Sequence, residues 1–266
     1  MPSIAIIGAT GAIGCSLALQ YAKKGNYLYL TGRKQPILDQ LAKRCIDRGS
    51  DVEVDAIDLR DHKSMLNWIK KISLDQNLNL LILCAGVSAS VEFFDQRCLP
   101  EKNTDLLREL EINAIAPMLC ANALVREILT RKRSLLLRIV FISSLAAKTG
   151  LPSSPGYSAS KASLVTYAQA LRRLVKDQNI AVTTVLPGFI KSAMSDRYIG
   201  SKPWMISADL AARKIVSAID RGKSTVYFPL LLYWGISLLD YLPVSWQNFF
   251  LEFFKFTVIP DADSKP

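Results

Sequence analysis

Along the 266 residues, short runs of aliphatic and β-branched side chains alternate with longer stretches in which apolar and charged positions are mixed. The short runs fall at residues 3–7, 27–31, 52–57, 78–84, 138–143, 181–186 and 225–228 and predict seven strands. The first six read as nearly continuous apolar runs, which is what a parallel strand needs when helices cover it on both faces. Each intervening stretch is long enough for a helix, so right-handed crossovers predict a doubly wound α/β sheet with helices on both sides. Boundary residues agree with this frame: Gly25 just past the first helix, Gly49 before the third strand, Ser207 as an N-cap and Gly222 ending the helix that Ser207 starts.

The first run leads into Gly8-Ala-Thr-Gly11-Ala-Ile-Gly14, three glycines at a strand-to-helix turn. Without side chains, backbone N–H groups and the helix N-terminus can approach a pyrophosphate, although the same turn could serve chain reversal alone. The second strand ends at Thr31-Gly32-Arg33-Lys34. A site preferring NAD usually carries an acidic residue near this point for the ribose 2′-hydroxyl, whereas the NADP phosphate wants a guanidinium. Gly32 and Arg33 therefore favour NADP(H), with NAD(H) as the alternative cofactor. Asp58, after the third strand, either meets the adenine edge or shapes a turn.

Ser143-Ser144 closes the fifth strand, and Tyr157-Ser-Ala-Ser-Lys161 opens the next helix after the loop Gly-Leu-Pro-Ser-Ser-Pro-Gly at residues 150–156. The four-residue spacing sets Tyr157 and Lys161 on one helical face. A phenol titrates near about 10 in water, so it exchanges protons at neutral pH only where a nearby cation stabilises the phenolate. Lys161 supplies that cation, and an oxidised nicotinamide would supply another.

With these residues in place the chain resembles the short-chain dehydrogenase/reductase family over residues 1 to 228. The matching features are the glycine turn, Asp58, Ala85-Gly86 at the end of the fourth strand, Asn113, Ser144, Tyr157 with Lys161, and Pro187-Gly188 followed by Ser192. The resemblance implies a Rossmann-type fold with a seven-stranded, mostly parallel sheet. Residues 1 to 228 then form the dinucleotide-binding and catalytic domain, and 229 to 266 an apolar C-terminal extension. It implies that Tyr157 exchanges a proton with the carbonyl or alcohol oxygen, Ser144 hydrogen-bonds that oxygen, and Lys161 lowers the phenol pKa and holds the nicotinamide ribose. Asn113 would hold a water linking Lys161 to solvent. Cofactor contacts are implied at Gly8, Thr10, Gly11, Ile13 and Gly14, at Arg33, at Asp58 and Leu59, and at Ala85 and Gly86. Pro187, Gly188, Ile190 and Ser192 would grip the nicotinamide end, alongside Tyr157 and Lys161. The chain departs from the family pattern at Ala12, where the middle glycine usually stands, at Cys84, where an asparagine is expected, and at Ser192, where threonine is commoner.

Composition narrows the classes further. Half the residues are apolar and 21% are charged, ordinary globular usage that argues for one large domain. Lys and Arg outnumber Asp and Glu by 33 to 23, so the surface should attract anionic partners. The excess falls in short clusters such as Lys23-Lys24 and Arg131-Lys132-Arg133, and no zinc-finger spacing or basic-aromatic stripe points to nucleic acid. Five scattered cysteines (15, 45, 84, 98 and 120) and one histidine, His62, argue against a metal site or disulfide framework and fit a reducing cytoplasm. Ala12-Ile13-Gly14-Cys15 imitates the end of a secretion signal. No basic segment precedes it, however, and glycines break its apolar run.

Residues 224 to 239 carry no formal charge, and Trp246, Phe249, Phe250, Phe253, Phe254 and Lys255 follow Asp240 and Pro243. The apolar stretch is shorter than the roughly 20 residues that span a bilayer, and Pro229 and Gly235 are expected to interrupt it. Three readings remain: a cap on the substrate pocket or a subunit interface, a segment lying on a membrane surface with Trp234, Trp246 and Lys255 assisting, or a chance apolar surface. The first two go with a hydrophobic substrate taken by a dimer or tetramer. Against an oxidoreductase of lipophilic carbonyls and alcohols stand two alternatives, a dinucleotide-binding scaffold that has lost turnover and a reductase of carrier-bound acyl groups. Substrate contacts are expected from the loops near residues 87 to 100 and 189 to 206.

Overall fold

All seven expected strands form, each end within one residue of its anticipated place. They are β1 (Ser3–Ile7), β2 (Tyr27–Gly32), β3 (Asp51–Ala56), β4 (Leu78–Leu83), β5 (Leu137–Ile142), β6 (Ile180–Pro187) and β7 (Thr225–Phe228). The computed structural model describes residues 1–89, 92–94, 97–131, 136–239, 241–252 and 256–258. Lys132, Arg133, Asp240, Phe253, Phe254 and Lys255 lie outside the described residues, as do the side chains of Cys98 and Phe250.

The strands form one parallel sheet in the order β7-β6-β5-β4-β1-β2-β3. Its order reverses between β4 and β1, so a crevice opens there at the carboxyl ends of the strands. The helices are α1 (Ala12–Tyr21), α2 (Gln35–Ile46), α3 (His62–Ser73), α4 (Asn103–Thr130), α5 (Pro155–Leu174), α6 (Ala208–Asp220), α7 (Leu230–Leu239) and α8 (Val244–Glu252). Successive strand residues point to opposite faces. Ile4, Ile6, Leu80, Ile82 and Val140 pack under α1, α2 and α6, whereas Ala5, Ile7, Leu81, Leu83 and Phe141 pack under α3, α4 and α5. Fully burying a Leu or Ile side chain stabilises by about 1.5–3 kcal/mol, so these two apolar layers are what hold the sheet between its helices.

β3 departs from the expected continuous apolar run. It is an edge strand whose Val52 and Val54 pack into one layer, while Glu53 and Asp55 on its other side pair with Lys71 at 2.7 and 3.2 Å. Trp68 Nε1 also donates to Asp55 at 2.9 Å. An edge strand has one hydrogen-bonded neighbour and incomplete cover, so charge is tolerated there. Ser207 caps α6 as expected, accepting from Leu210 N at 3.2 Å. Gly235 does not interrupt α7, which runs through it. A mid-helix glycine costs only about 1 kcal/mol, and packing of Leu232 and Ile236 beside it against Leu145 and Leu186 offsets that. Three features carried no periodic signal: a π turn inside α4 at Glu111–Ile115, and the antiparallel pairings of Tyr198–Gly200 with Phe256–Val258 and of Glu92–Phe94 with Arg97–Leu99.

Candidate active site

A cleft of about 560 Å³ runs along the carboxyl ends of the strands. At its β1 end Gly8 has a φ of +84°, and a Cβ there would lie 2.6 Å from the Cα and N of Ala85. The absent side chain thus lets the turn close against the end of β4. A Cβ on Gly14 would lie 2.2 Å from the Gly8 carbonyl oxygen. Gly14 therefore works behind the wall, allowing α1 to begin against the turn, while Gly8, Thr10, Gly11 and Ile13 line the cleft. Gly11 is the N-cap of α1 and offers no side-chain acceptor. The first-turn N–H groups lack intrahelical partners, and the opening of a helix there suits an anion.

Arg33 and Lys34 line the same end, with Asp58 and Leu59 across from them. Arg60, which the sequence motifs did not single out, pairs with the Asp58 carboxylate at 2.6 Å. Its hydrogen bond, reinforced by the Arg33 charge, holds Asp58 below the usual carboxylate range. Unpaired helix amides, basic side chains and a carboxylate whose charge is already balanced fit the phosphates and ribose of a dinucleotide.

At the other end Ser144 follows β5 and caps a short helical turn, its Oγ accepting from Ala146 N at 3.1 Å. It also hydrogen-bonds Tyr157. α5 opens at Pro155, whose fixed φ suits a first turn, and brings Tyr157 and Lys161 to the cleft wall. Lys161 Nζ lies 5.8 Å from the Tyr157 ring centroid and donates to Ile142 O at 3.1 Å. Ser143 Oγ donates to the Lys161 carbonyl at 2.9 Å, fixing the helix against the end of β5.

Burial draws the Lys161 ammonium down to about 8, with Cys84 and Glu109 opposing. Burial likewise pushes the Tyr157 phenol well up; Tyr198 and Glu109 add to this, and the Ser144 hydrogen bond opposes it. Desolvation dominates, so the phenol holds its proton until more positive charge arrives beside it. Cys84, in place of the expected asparagine, is half-buried, and desolvation pushes its thiol up to about 12, with Lys161 opposing.

Asn113 lies behind the wall and is fully buried. Its Oδ1 accepts from Val87 N at 2.8 Å, and its Nδ2 donates to Val87 O at 2.8 Å and to Ser160 Oγ at 3.0 Å. Ser160 in turn donates to the Tyr157 carbonyl at 2.8 Å. Both amide hydrogens are committed to protein partners, and through them Asn113 clamps the segment after β4 to the helix bearing Tyr157. Ala85 and Gly86 line the floor, and Pro187, Gly188, Ile190 and Ser192 line the wall beyond β6. Ser192 forms a capping box with Ser195 at the start of Ala193–Asp196.

Sequence motifs missed two further residues. Glu109 is 1% exposed, and its Oε1 accepts from Ala89 N. Its Oε2 has no hydrogen-bond partner and faces Gly156, where a Cβ would approach it within 2.5 Å and Glu101 Oε2 within 3.0 Å. Glu101 accepts the Gly156 N–H at 3.1 Å. Burial raises Glu109 to about 7; the Ala89 N–H opposes, Glu101 and Asp105 add, and Arg108 opposes. Tyr198 lines the cleft, and burial pushes it up too. Glu109 reads as one polar position on an amphipathic helix, and its one signal is that it stands a helical turn before Asn113. Tyr198 lies within the loop expected to touch substrate. Among the described residues no cluster of His, Cys, Asp and Glu suits a metal ion, and Cys15, Cys45, Cys84 and Cys120 are free thiols.

The chain matches the short chain dehydrogenase family model over residues 2–201. It is 30% identical over 192 residues to a 3-oxoacyl-acyl-carrier-protein reductase FabG of Rickettsia conorii, covering 72% of this chain and 74% of that protein. It is 28% identical over 254 residues to 11-beta-hydroxysteroid dehydrogenase-like 4A of Arabidopsis thaliana, covering 91% and 82%. Its fold matches that of a short-chain dehydrogenase from Sphingobium yanoikuyae in complex with NADPH, with a TM-score of 0.76 at 23% identity over 100% of this chain and 99% of that one. With a dinucleotide-fitting crevice, a Ser-Tyr-Lys wall and a family match covering most of its length, the chain belongs to the short-chain dehydrogenase/reductase family of NAD(P)-dependent oxidoreductases acting on CH–OH and C=O groups.

Proposed function

We propose that the protein interconverts a lipophilic carbonyl compound and its alcohol with NADP(H), using Tyr157 as the acid and base. The observation that carries this reading is the joint placement of Tyr157, its hydrogen-bond partner Ser144, and Lys161 Nζ 5.8 Å from the ring, in the cleft that begins at the glycine turn. When bound, the nicotinamide supplies or accepts the hydride. In reduction Tyr157 gives its proton to the carbonyl oxygen, and Ser144 donates a hydrogen bond to the same oxygen as charge develops. Lys161 would hold the nicotinamide ribose, and its charge beside the ring would stabilise the phenolate left behind. Asn113 keeps the Tyr157 helix in register through Ser160.

Preference for NADP(H) over NAD(H) is supported by Arg33 and Lys34 at the cleft end and by the Arg60 ion pair that balances Asp58. A lipophilic substrate is supported by the apolar lining beyond Tyr157, which includes Leu145, Leu151, Met194, Leu232 and Ile236. On this reading residues 1 to 228 bind and catalyse, and the extension from 229 onward roofs the pocket. We place the protein in the cytoplasm as a homodimer or homotetramer, with exposed Leu107, Ile115 and Leu129 of α4 available between copies. Tyr157→Phe should keep NADPH binding, read by fluorescence titration, and lose nearly all turnover across a panel of lipophilic ketones. Turnover equal to that of the parent would overturn the assignment.

A further inference from the structure

Helices α6 and α7 each press one face on the body of the protein, and their outer faces differ in kind. α6 buries Ala211, Ala212, Ile215 and Ile219 and turns the charged Asp209, Arg213 and Lys214 to solvent. α7 buries Leu232, Ile236 and Leu239 and turns out Leu230, Leu231, Trp234 and Leu238, at 59 to 71% exposure. α7 is held firmly: Tyr233 stacks on Tyr227 of β7 with ring centroids 3.7 Å apart. A helix that merely roofed a pocket in water would show it a polar outer face; one that is apolar all round is covered on both sides.

We infer that the outer face of α7 seats on an anionic lipid surface, so that one helix roofs the cleft with its inner side and docks on the bilayer with its outer side. The surroundings favour lipid over a second copy of the chain. Tyr241, Val244 and Trp246, which follow α7, are also largely exposed, and Trp and Tyr with leucines are the side chains that settle at a lipid interface. Pro229 and Leu232 pack against Gly188, from which the loop 189–206 departs, and that loop carries exposed Lys191 and half-buried Lys202 beside exposed Ile199, Trp204 and Met205. Lys191 and Lys202 in that loop would meet acidic headgroups beside its exposed apolar side chains, whereas a second copy seated on the same face would set these lysines against each other. At ten residues α7 is about 15 Å long, half a bilayer core, so it lies on the surface and does not cross. Among the described residues the one helix long and apolar enough to cross is α4, and more than half of its apolar window is buried.

Leu232 and Ile236 line the cleft, so a docked α7 would set the roof of the pocket at the lipid, and substrate would pass between them. That consequence rests on the lipophilic-substrate reading; the docking does not. Flotation of the whole protein with phosphatidylcholine vesicles, with and without phosphatidylglycerol, tests it. The parent should float with the anionic vesicles, and Leu231→Ser/Trp234→Ser/Leu238→Ser should lower the partition constant more than about tenfold. The same variant should still bind NADPH and turn over a short, water-soluble ketone, which shows that it folds. Should it fail to fold, Lys191→Glu/Lys202→Glu serves instead, with a loss of anionic preference of more than about tenfold expected. Equal flotation of variant and parent, no flotation of the parent, or a drop in oligomeric mass caused by the α7 substitutions would each overturn the proposal. Failure of the parent to reduce any ketone would count against the proposed reaction and leave the docking result standing.

Discussion

At the β1 end of the cleft the working parts are backbone and surface charge, whereas at the β5 end they are buried side chains held by one another. Gly8, Gly11 and Gly14 act through what they lack, and Arg33 and Arg60 stand near solvent. Lys161, Asn113 and Glu109 are buried, and each is tied to neighbours far away in sequence: Ile142, Val87 with Ser160, and Ala89. The nucleotide end is therefore governed by steric and long-range charge effects, and the catalytic end by desolvation and hydrogen-bond networks. Substitutions at the first should act through clash and affinity; those at the second should act through protonation.

The largest effect expected of that contrast is at Gly8. Gly8→Ala puts a Cβ 2.6 Å from the Ala85 backbone at a left-handed φ, and we expect a loss of about 3 kcal/mol or more in denaturant unfolding, together with NADPH binding. An unchanged unfolding midpoint would break the steric half of the comparison.

Next comes Glu109, whose carboxyl is raised from 4.5 to about 7 in the folded protein. The folded state then binds this proton more tightly than the unfolded chain does. Stability should fall by roughly 2–3 kcal/mol as the pH rises from the unfolded value to about 7, and stay level above it. Glu109→Gln should remove that slope and be the more stable form at pH 8. Thermal melts of both proteins across the range would show this, and parallel curves would place the charge elsewhere.

The smallest effect expected is at Arg33. On the proposed NADP(H) reading, Arg33→Asp would remove a charge-assisted contact to the ribose phosphate and should weaken NADPH about thirtyfold, near 2 kcal/mol, while leaving NADH no weaker. Calorimetric titration of both cofactors would sharpen or dissolve the preference.

The two ends also differ in how far the chain discloses them. The glycine turn, Arg33 and Asp58 are legible because each lies within a few residues of a strand end that the apolar pattern locates. Tyr157, Lys161 and Ser144 are legible through spacing along one strand and one helix. Glu109 is not, because burial of a single polar position on α4 depends on Gly156 and Ala89, which only the folded chain brings against it. Arg60 escaped for a related reason, since a charge two residues after Asp58 looks solvated until the ion pair is seen.

The alternation of apolar runs with mixed stretches, the glycine spacing and the Ser-Tyr-Lys interval were enough for the sequence alone to determine the sheet and the crevice and to single out the candidate reacting group, because each is encoded over a few neighbouring positions. Only the tertiary structure decided that burial raises the phenol, that Gly14 and Asn113 work behind the wall, and that α7 shows apolar side chains on both sides. Those outcomes depend on which surfaces lose their water when distant segments meet, and no stretch of chain carries that information by itself.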